Sequence, residues 1–402
     1  MQRTITAQAR LQQWSGLACL LLAFIWAHVL ASPGHAQAKG ELSTKVGQAI
    51  LMDATTGAIL FQHNADQLVQ PASMSKLMTL ALTFKLLKAG KIKLSDEFVM
   101  SVHAWRTGGA PSHTAAMMVP VNTKEPLSEL IQGIIVQSGN DAAICIAEGI
   151  AGSEAKFAQM MTEEARRIGL QKSQFRNPTG LENPQHLMTV RELALLARHI
   201  IVTYPEYFPM FAQKEFQYRR HKFRNRNPLL FSDPTVDGMK TGHLNAAGYG
   251  LVATAKRGDR RVIAVVHGAS SARERQSETE RLLEWGFKNV APVKLYDADE
   301  TIGSARVWGA SVMYVPLVAN GELNVWLPRY PTNQRLRGEI IYDGPLKAPI
   351  RKGDKVARLR VTSTTNAVQE VPLYAAQDVE KAGLVWRGLD SLAHLAFRLI
   401  PR

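Results

Sequence analysis

The stretch Pro71-Ala72-Ser73-Met74-Ser75-Lys76-Leu77-Met78-Thr79 sets the reading of the whole chain. Proline suits the first turn of a helix, and the run from Leu77 to Leu87 is apolar with helical spacing. A helix is therefore expected to begin here and to end near Ala89-Gly90, where glycine suits a C-cap. A serine and a lysine three apart share one face of that helix. A serine hydroxyl is a poor nucleophile until its proton is taken, and a lysine amine can take it once burial or a nearby cation leaves it neutral. Ser73 and Lys76 are thus a candidate nucleophile and base. The pattern alone is common, and Ser153-Glu154-Ala155-Lys156 also fits it, so the assignment rests on what lies further along the chain.

Two more short motifs follow in order. Ser138-Gly139-Asn140 falls at the junction between an amphipathic helix, Leu127 to Val136, and a second apolar helix running to Ile150. Lys240-Thr241-Gly242 falls at the start of an expected strand. Each alone is ordinary turn or strand-edge chemistry. Together they supply what acyl transfer needs. Ser138 can relay a proton to a leaving amine. Asn140 can bond a substrate amide and help hold Lys76. Lys240 adds positive charge that favours a neutral Lys76 and attracts an anionic substrate end. Thr241 can bond a terminal carboxylate, and Gly242 would let an extended substrate approach the strand edge. Backbone N–H groups of Ser73 and His243 can form an oxyanion hole.

Outward from these motifs, apolar runs on either side of Asp53-Ala54-Thr55-Thr56-Gly57 read as a hairpin. Val102 to Pro120, rich in Gly, Pro, Ser, Thr and His, reads as a long loop. Phe157 to Leu170 and Thr189 to Ile201 read as helices, the second with Thr189 as cap and Glu192 completing a capping box. Gly248 to Ala255 and Arg261 to Ala269 read as strands joined at Arg257-Gly258-Asp259-Arg260, followed by a helix from Ser277 to Phe287. Helices in the middle and strands at both ends predict an α+β domain, with an antiparallel sheet built from both termini and helices packed on it. After Pro292, short strands such as Ser311 to Leu317, Leu323 to Leu327, Leu336 to Tyr342 and Lys355 to Val361 predict a small all-β domain. Finally, Val385, Leu389, Leu392, Ala396 and Leu399 recur at helical spacing opposite Arg387, Ser391, His394 and Arg398. This is an amphipathic helix too polar to span a bilayer, suited to a membrane surface or to docking on the protein itself.

The chain has 402 residues, 46% hydrophobic and 20% charged, with a formal net charge of +14. That is enough to bury a large core, and two domains are expected. No helix-turn-helix, RNP or zinc-finger pattern is present, so the basic excess points to anionic lipid or wall polymer rather than nucleic acid. Arg3 and Arg10, the apolar run Leu17 to Ala27 and Ala36-Gln37-Ala38 form a secretory signal peptide, 1–38, with an uncleaved anchor as the alternative. Its removal leaves +12. It also leaves one cysteine, Cys145, in an apolar run that suits a buried small hydrophobe. His103, His113, His186, His199, His221 and His267 are scattered without ligand spacing, so neither a metal nor a cofactor is expected.

The chain resembles the low-molecular-mass penicillin-binding proteins that are serine D-alanyl-D-alanine carboxypeptidases of the penicillin-binding protein 5 type. The resemblance lies in Pro71 to Thr79, Gln137-Ser138-Gly139-Asn140-Asp141-Ala142, Asn177-Pro178-Thr179-Gly180-Leu181, Val236-Asp237-Gly238-Met239-Lys240-Thr241-Gly242-His243 and Arg281 to Phe287, and extends over the β-rich region and the terminal helix. It implies a transpeptidase/β-lactamase-like domain at 39–290, a β-rich domain at 291–378 and a membrane-anchoring helix at 379–402. It implies removal of the last D-alanine from peptidoglycan stem pentapeptides, acylation of Ser73 by β-lactam antibiotics, and a role in cell-wall biogenesis and cell shape. It places the protein on the periplasmic face of the inner membrane. It also implies an arginine that helps bind the terminal carboxylate, for which Arg273 is the candidate and Arg275 the near alternative. A β-lactamase would need a Glu-x-x-Leu-Asn motif, which is absent.

Overall fold

The computed structural model describes residues 42–329, 335–364, 367–384 and 386. The expected signal peptide and the stripe residues of the expected terminal helix, Val385 and Leu389 onward, lie outside the described residues.

Within the described residues the first strand pair is β1 (Gln48–Asp53) and β2 (Ile59–His63), joined at the expected turn. The helices that follow include α1 (Lys76–Lys88), α2 (Asn140–Ala151), α3 (Glu154–Arg167) and α4 (Val190–Thr203). Then come β3 (Val236–Leu244), β4 (Gly248–Arg257), β5 (Arg260–Ala269) and α5 (Ala272–Asn289). The strands pair antiparallel in the order β2-β1-β5-β4-β3, so both ends of this region do meet in one sheet.

Both faces of the sheet are covered. Ile50, Met52, Ile263 and Val265 pack against the helices from α1 to α4, while Ala49, Leu51, Ala264 and Val266 pack with Leu282 and Leu283 of α5. A strand buried on two faces reads as a continuous apolar run, which is why β1 and the middle of β5 carry no polar alternation. Helix α1 is buried nearly all round, from Lys76 through Phe84 and at Leu87. Each fully buried Leu or Phe there stabilises by about 2 kcal/mol, several times any helix-propensity effect. The segment that carries the Ser-x-x-Lys motif is therefore held firmly in the core.

A third core, containing Val307, Val315, Leu317, Val325, Leu359 and Leu373, lies in the β-rich region. Its strands are Gly303–Trp308, Tyr314–Val318, Leu323–Pro328, Leu336–Ile341, Lys355–Ser363 and Val368–Ala375. It joins the first region through the pair Val368–Ile59 and through Arg260, whose guanidinium lies 4.5 Å from the Trp326 ring.

Local structure departs from expectation at four points. The stretch from Val102 is not all loop: Val102–Gly108 is a helix, capped by Ser101 Oγ accepting from Ala104 N. Gly108 reads as a breaker but serves close packing, since a Cβ there would lie 2.5 Å from the backbone N of Asp141. Thr189 does cap α4, but Glu192 bonds Lys172 N and Ser173 Oγ instead of closing a capping box. Helix α5 starts five residues early, capped by Ser271. Lys240-Thr241-Gly242 lies inside β3, not at its start.

Candidate active site

Ser73 sits in a 3-10 turn, Ala72–Ser75, that runs into α1 at Lys76. In a 3-10 turn residues i and i+3 eclipse. That geometry, entered through a left-handed Ala72 (φ +50°), sets Lys76 Nζ 2.9 Å from Ser73 Oγ. Lys76 also donates to Asn140 Oδ1 and to the Thr179 carbonyl, each at 2.6 Å. A neutral amine has two N–H bonds and one lone pair. Donating to Asn140 and Thr179 leaves the lone pair for the Ser73 hydroxyl proton.

Each acceptor is fixed in turn. Asn140 N donates to Ala115 O at 2.7 Å and its Nδ2 to Thr114 Oγ1 at 2.9 Å, which decides which end of the amide faces Lys76. Asp141, fully buried, accepts from Met117 N and Val119 N and so pins the 113–119 loop beside the site. Asn177 Oδ1 accepts from the backbone N and Oγ1 of Thr179 and from Gly180 N, a turn that aims the Thr179 carbonyl at Lys76.

Burial lowers the Lys76 pKa to about 7, the Arg226 cation adds to the shift, and Asp141 opposes it. Arg226 is thus a cation acting on Lys76 that the sequence did not single out, and it adds to the mutual repulsion between Lys76 and Lys240. Lys240, 2% exposed, is itself pushed well below its usual value by burial, then by Lys76, Arg226 and Arg275. It donates to Ser138 Oγ at 2.8 Å and to the Thr241 carbonyl at 3.2 Å. Ser138 follows a π-type turn, Gly133–Gln137, and takes a left-handed conformation, φ +66°. That turn points the serine inward between Lys240 and the cleft.

A cleft of about 510 Å³ unites the three segments. Its lining includes Ser73, Ser138, Asn140, Thr241, Gly242 and His243, with Thr114, Arg226 and Arg275. His243 is exposed and stacks on Tyr249, with ring centroids 4.0 Å apart.

One expectation gains a second reason and one needs correction. A Cβ on Gly242 would lie 2.9 Å from Pro71 O and 3.1 Å from Met74 Cγ, so this glycine first of all admits the turn that carries Ser73 to β3, a packing reason that the sequence did not show. Arg273 is exposed and outside the cleft, while Arg275 is 9% exposed and lines it. Two residues along a helix are about 200° apart around its axis, so only one of the pair can face inward. Arg275 Nε has no hydrogen-bond partner among the described residues, and its guanidinium lies 5.9 Å from the Tyr249 ring.

Sequence reasoning missed Thr179, Arg226, Thr114 and Asp141 as parts of the site. Asn177 to Leu181 was noticed only through the resemblance, because a backbone carbonyl acting as acceptor leaves no side-chain signature. Arg226 lay in a run of basic residues with nothing to single it out.

An antiparallel sheet clad in helices, with a serine–lysine pair at a helix start facing a lysine on the adjacent strand, defines an active-serine acyl-transfer enzyme. A family model described as D-alanyl-D-alanine carboxypeptidase matches residues 35–271, and one described as the C-terminal domain of penicillin-binding protein 5 matches residues 291–381. The chain belongs to the D-alanyl-D-alanine carboxypeptidase family. It is 36% identical to the carboxypeptidase DacC of Escherichia coli (strain K12), over 85% of this chain and 86% of that one. It is 34% identical to DacA of Haemophilus influenzae, over 85% and 87%. Among solved structures it matches penicillin-binding protein 5 from Haemophilus influenzae with a TM-score of 0.69 at 33% identity, covering 85% of this chain and 99% of that one. It also matches ampicillin-bound penicillin-binding protein D2 from Listeria monocytogenes, with a TM-score of 0.53 at 28% identity, covering 61% and 99%.

Proposed function

We propose that this enzyme removes the terminal D-alanine from peptidoglycan stem pentapeptides through an acyl-enzyme on Ser73. Lys76 Nζ takes the hydroxyl proton as Ser73 Oγ attacks the carbonyl of the penultimate D-alanine. Backbone N–H groups of Ser73 and His243 receive the developing oxyanion. Ser138, held by Lys240, passes a proton to the departing amine of D-alanine. Water then opens the ester, with the proton returning through Lys76. Thr241 and Arg275 bind the terminal carboxylate, for which an unpartnered buried guanidinium nitrogen is suited. A penicillin enters the same steps, but its ring-opened amine stays attached.

The observation that carries this reading is the Lys76 amine, buried, with its pKa lowered to about 7, and 2.9 Å from Ser73 Oγ. No Asp or Glu lines the cleft among the described residues, and Asp141 is spent on backbone N–H groups. Nothing there activates a deacylating water as a β-lactamase carboxylate would, which favours a long-lived penicilloyl-enzyme. In keeping with the signal-like leader and the terminal stripe, we place the chain in the periplasm, held on the inner membrane by 379–402, with domain limits at 39–290 and 291–378.

The test is D-alanine release from a pentapeptide, followed by mass spectrometry. Ser73→Ala should lower the rate by about 10⁴-fold or more and abolish the penicillin adduct. Release at the parent rate would overturn the assignment. Arg275→Ala should lower kcat/KM about 10²-fold, mostly through KM, as expected for a lost charge-assisted pair of about 3 kcal/mol. Arg273→Ala should stay within about twofold of the parent, as exposed charges do.

A further inference from the structure

Glu215–Tyr218 and His221–Arg224 pair as an antiparallel hairpin whose two faces differ in chemistry. One face is aromatic. Phe216 lies 6.3 Å from both Tyr218 and Phe223, and His221 lies 5.9 Å from Phe223. The hairpin packs on the 133–137 turn that leads to Ser138, so it is seated against the site. The other face is cationic. From Lys222 to Asn227 exposure strictly alternates, with Lys222, Arg224 and Arg226 outward and Asn225 and Asn227 buried.

The alternation persists past the strand because Asn225 N donates to Lys214 O and Asn225 Nδ2 to Gln213 O. Residues two apart on an extended chain are about 6.7 Å apart. Lys222 and Arg224 stand at that interval on the strand, and Arg226 follows two residues on, at the bend beyond it; the three form a row of positive charges whose inner end, Arg226, lines the cleft. Arg219 in the turn is neutralised by Glu125 at 2.8 Å. Among the described residues no carboxylate lies within ion-pair distance of Arg220, Lys222, Arg224 or Arg226, although Glu215 shares the face opposite Arg224. Arg224 is held in place by its stack on Phe231, 3.9 Å from guanidinium to ring.

Three unpaired cations on a rigid ribbon, one of them inside the cleft, are built to meet several anionic groups at once. We infer that the row Lys222–Arg224–Arg226 binds carboxylates of the peptidoglycan polymer beyond the D-alanine being removed, holding the wall while a stem peptide occupies the cleft. This deepens the proposed function and rests on it. The partner is an acidic peptide-bearing polymer rather than a membrane, because the row runs into the substrate cleft.

The test is co-sedimentation of the full chain with purified peptidoglycan sacculi at low and high salt, using Lys222→Gln/Arg224→Gln, in which glutamine keeps part of the stem over Phe231. Lys91→Gln/Lys93→Gln, exposed elsewhere, removes the same charge. Benzylpenicillin labelling of Ser73 reports on the cleft. The parent should pellet at low salt and be released by salt. The hairpin variant should bind at least about fivefold more weakly, while the control binds like the parent. Equal loss in both variants would reduce the row to net charge and overturn the inference. So would undiminished binding of sacculi by the hairpin variant, including the case in which, in a parallel flotation assay, it loses only its binding to phosphatidylglycerol vesicles. Failure of the parent to label would overturn the acyl-enzyme reading instead, leaving sedimentation to decide the row.

Discussion

Lys76→Arg should reduce acylation of Ser73 by a penicillin by about 10³-fold or more, the size of a lost general base, while the chain stays folded. Arginine preserves the positive charge and can reach Asn140 Oδ1 and the Thr179 carbonyl, so a purely structural or charge-based role for Lys76 would be largely rescued. It does not release its proton at any pH the protein survives, so a base is not rescued. The parent's pH profile makes the same point independently. Lys76 is active when neutral, and burial together with Arg226 sets its pKa at about 7. Below that value the acylation rate should fall by about tenfold per pH unit, and above it the rate should level off. An unshifted lysine would still be gaining activity at pH 10. The check is stopped-flow or quench acylation from pH 5 to 9. A profile flat through pH 7, or an arginine variant within tenfold of the parent, would remove Lys76 from the role of base. Neutralising Arg226 should move the inflection upward, since its cation is the second cause of the depressed value.

The make-up of the candidate site was largely legible because three segments announce themselves by side chain. Ser73, Lys76, Ser138, Asn140 and Lys240 are polar residues set in apolar helical or strand contexts, and the fold brings them together, all but the half-buried Ser73 buried. What stayed hidden was of a different physical kind. Thr179 acts through its carbonyl and Asn177 through a turn, and neither function has a residue-type signature. Arg275 could not be told from Arg273 without knowing the helix phase, because α5 begins five residues before the sequence suggested. The helix Val102–Gly108 was masked by Gly108 and Gly109, whose small size serves packing rather than flexibility: Gly108 abuts the start of α2, and a Cβ on Gly109 would lie 2.6 Å from the Trp105 carbonyl oxygen. Lys240-Thr241-Gly242 is expected at a strand start, yet β3 begins four residues earlier at Val236, and Asp237 is held there by Arg261 at 2.7 Å. The sheet, by contrast, was legible almost to the residue in β4 and β5, where burial on both faces leaves an unbroken apolar run between turn residues.

Gly180→Ala should abolish acylation about as completely as losing Lys76, although Gly180 has no side chain to take part in the chemistry. The glycine has φ +75°, which an alanine adopts at a cost of about 1 kcal/mol. That is the lesser effect. An added Cβ would lie 2.0 Å from the Ala72 carbonyl oxygen, 2.5 Å from its carbon and 2.6 Å from Ser75 Oγ. The obstacle is backbone, so relief requires moving either the turn that carries Ser73 or the loop that carries Thr179. Either shift opens the 2.9 and 2.6 Å contacts that leave the Lys76 lone pair facing the serine. A displacement of about 1 Å is enough to cost about 10²-fold, and loss of the base itself would cost more. Gly169→Ala separates the two effects. It has φ +93° but open space around the position of a Cβ. It should lower thermal stability by the conformational cost alone and leave penicillin labelling at the parent rate. If Gly180→Ala behaved like Gly169→Ala, losing some stability while keeping acylation, the close seat of the 177–181 loop on the nucleophile's turn would not be what holds Lys76 in register with Ser73.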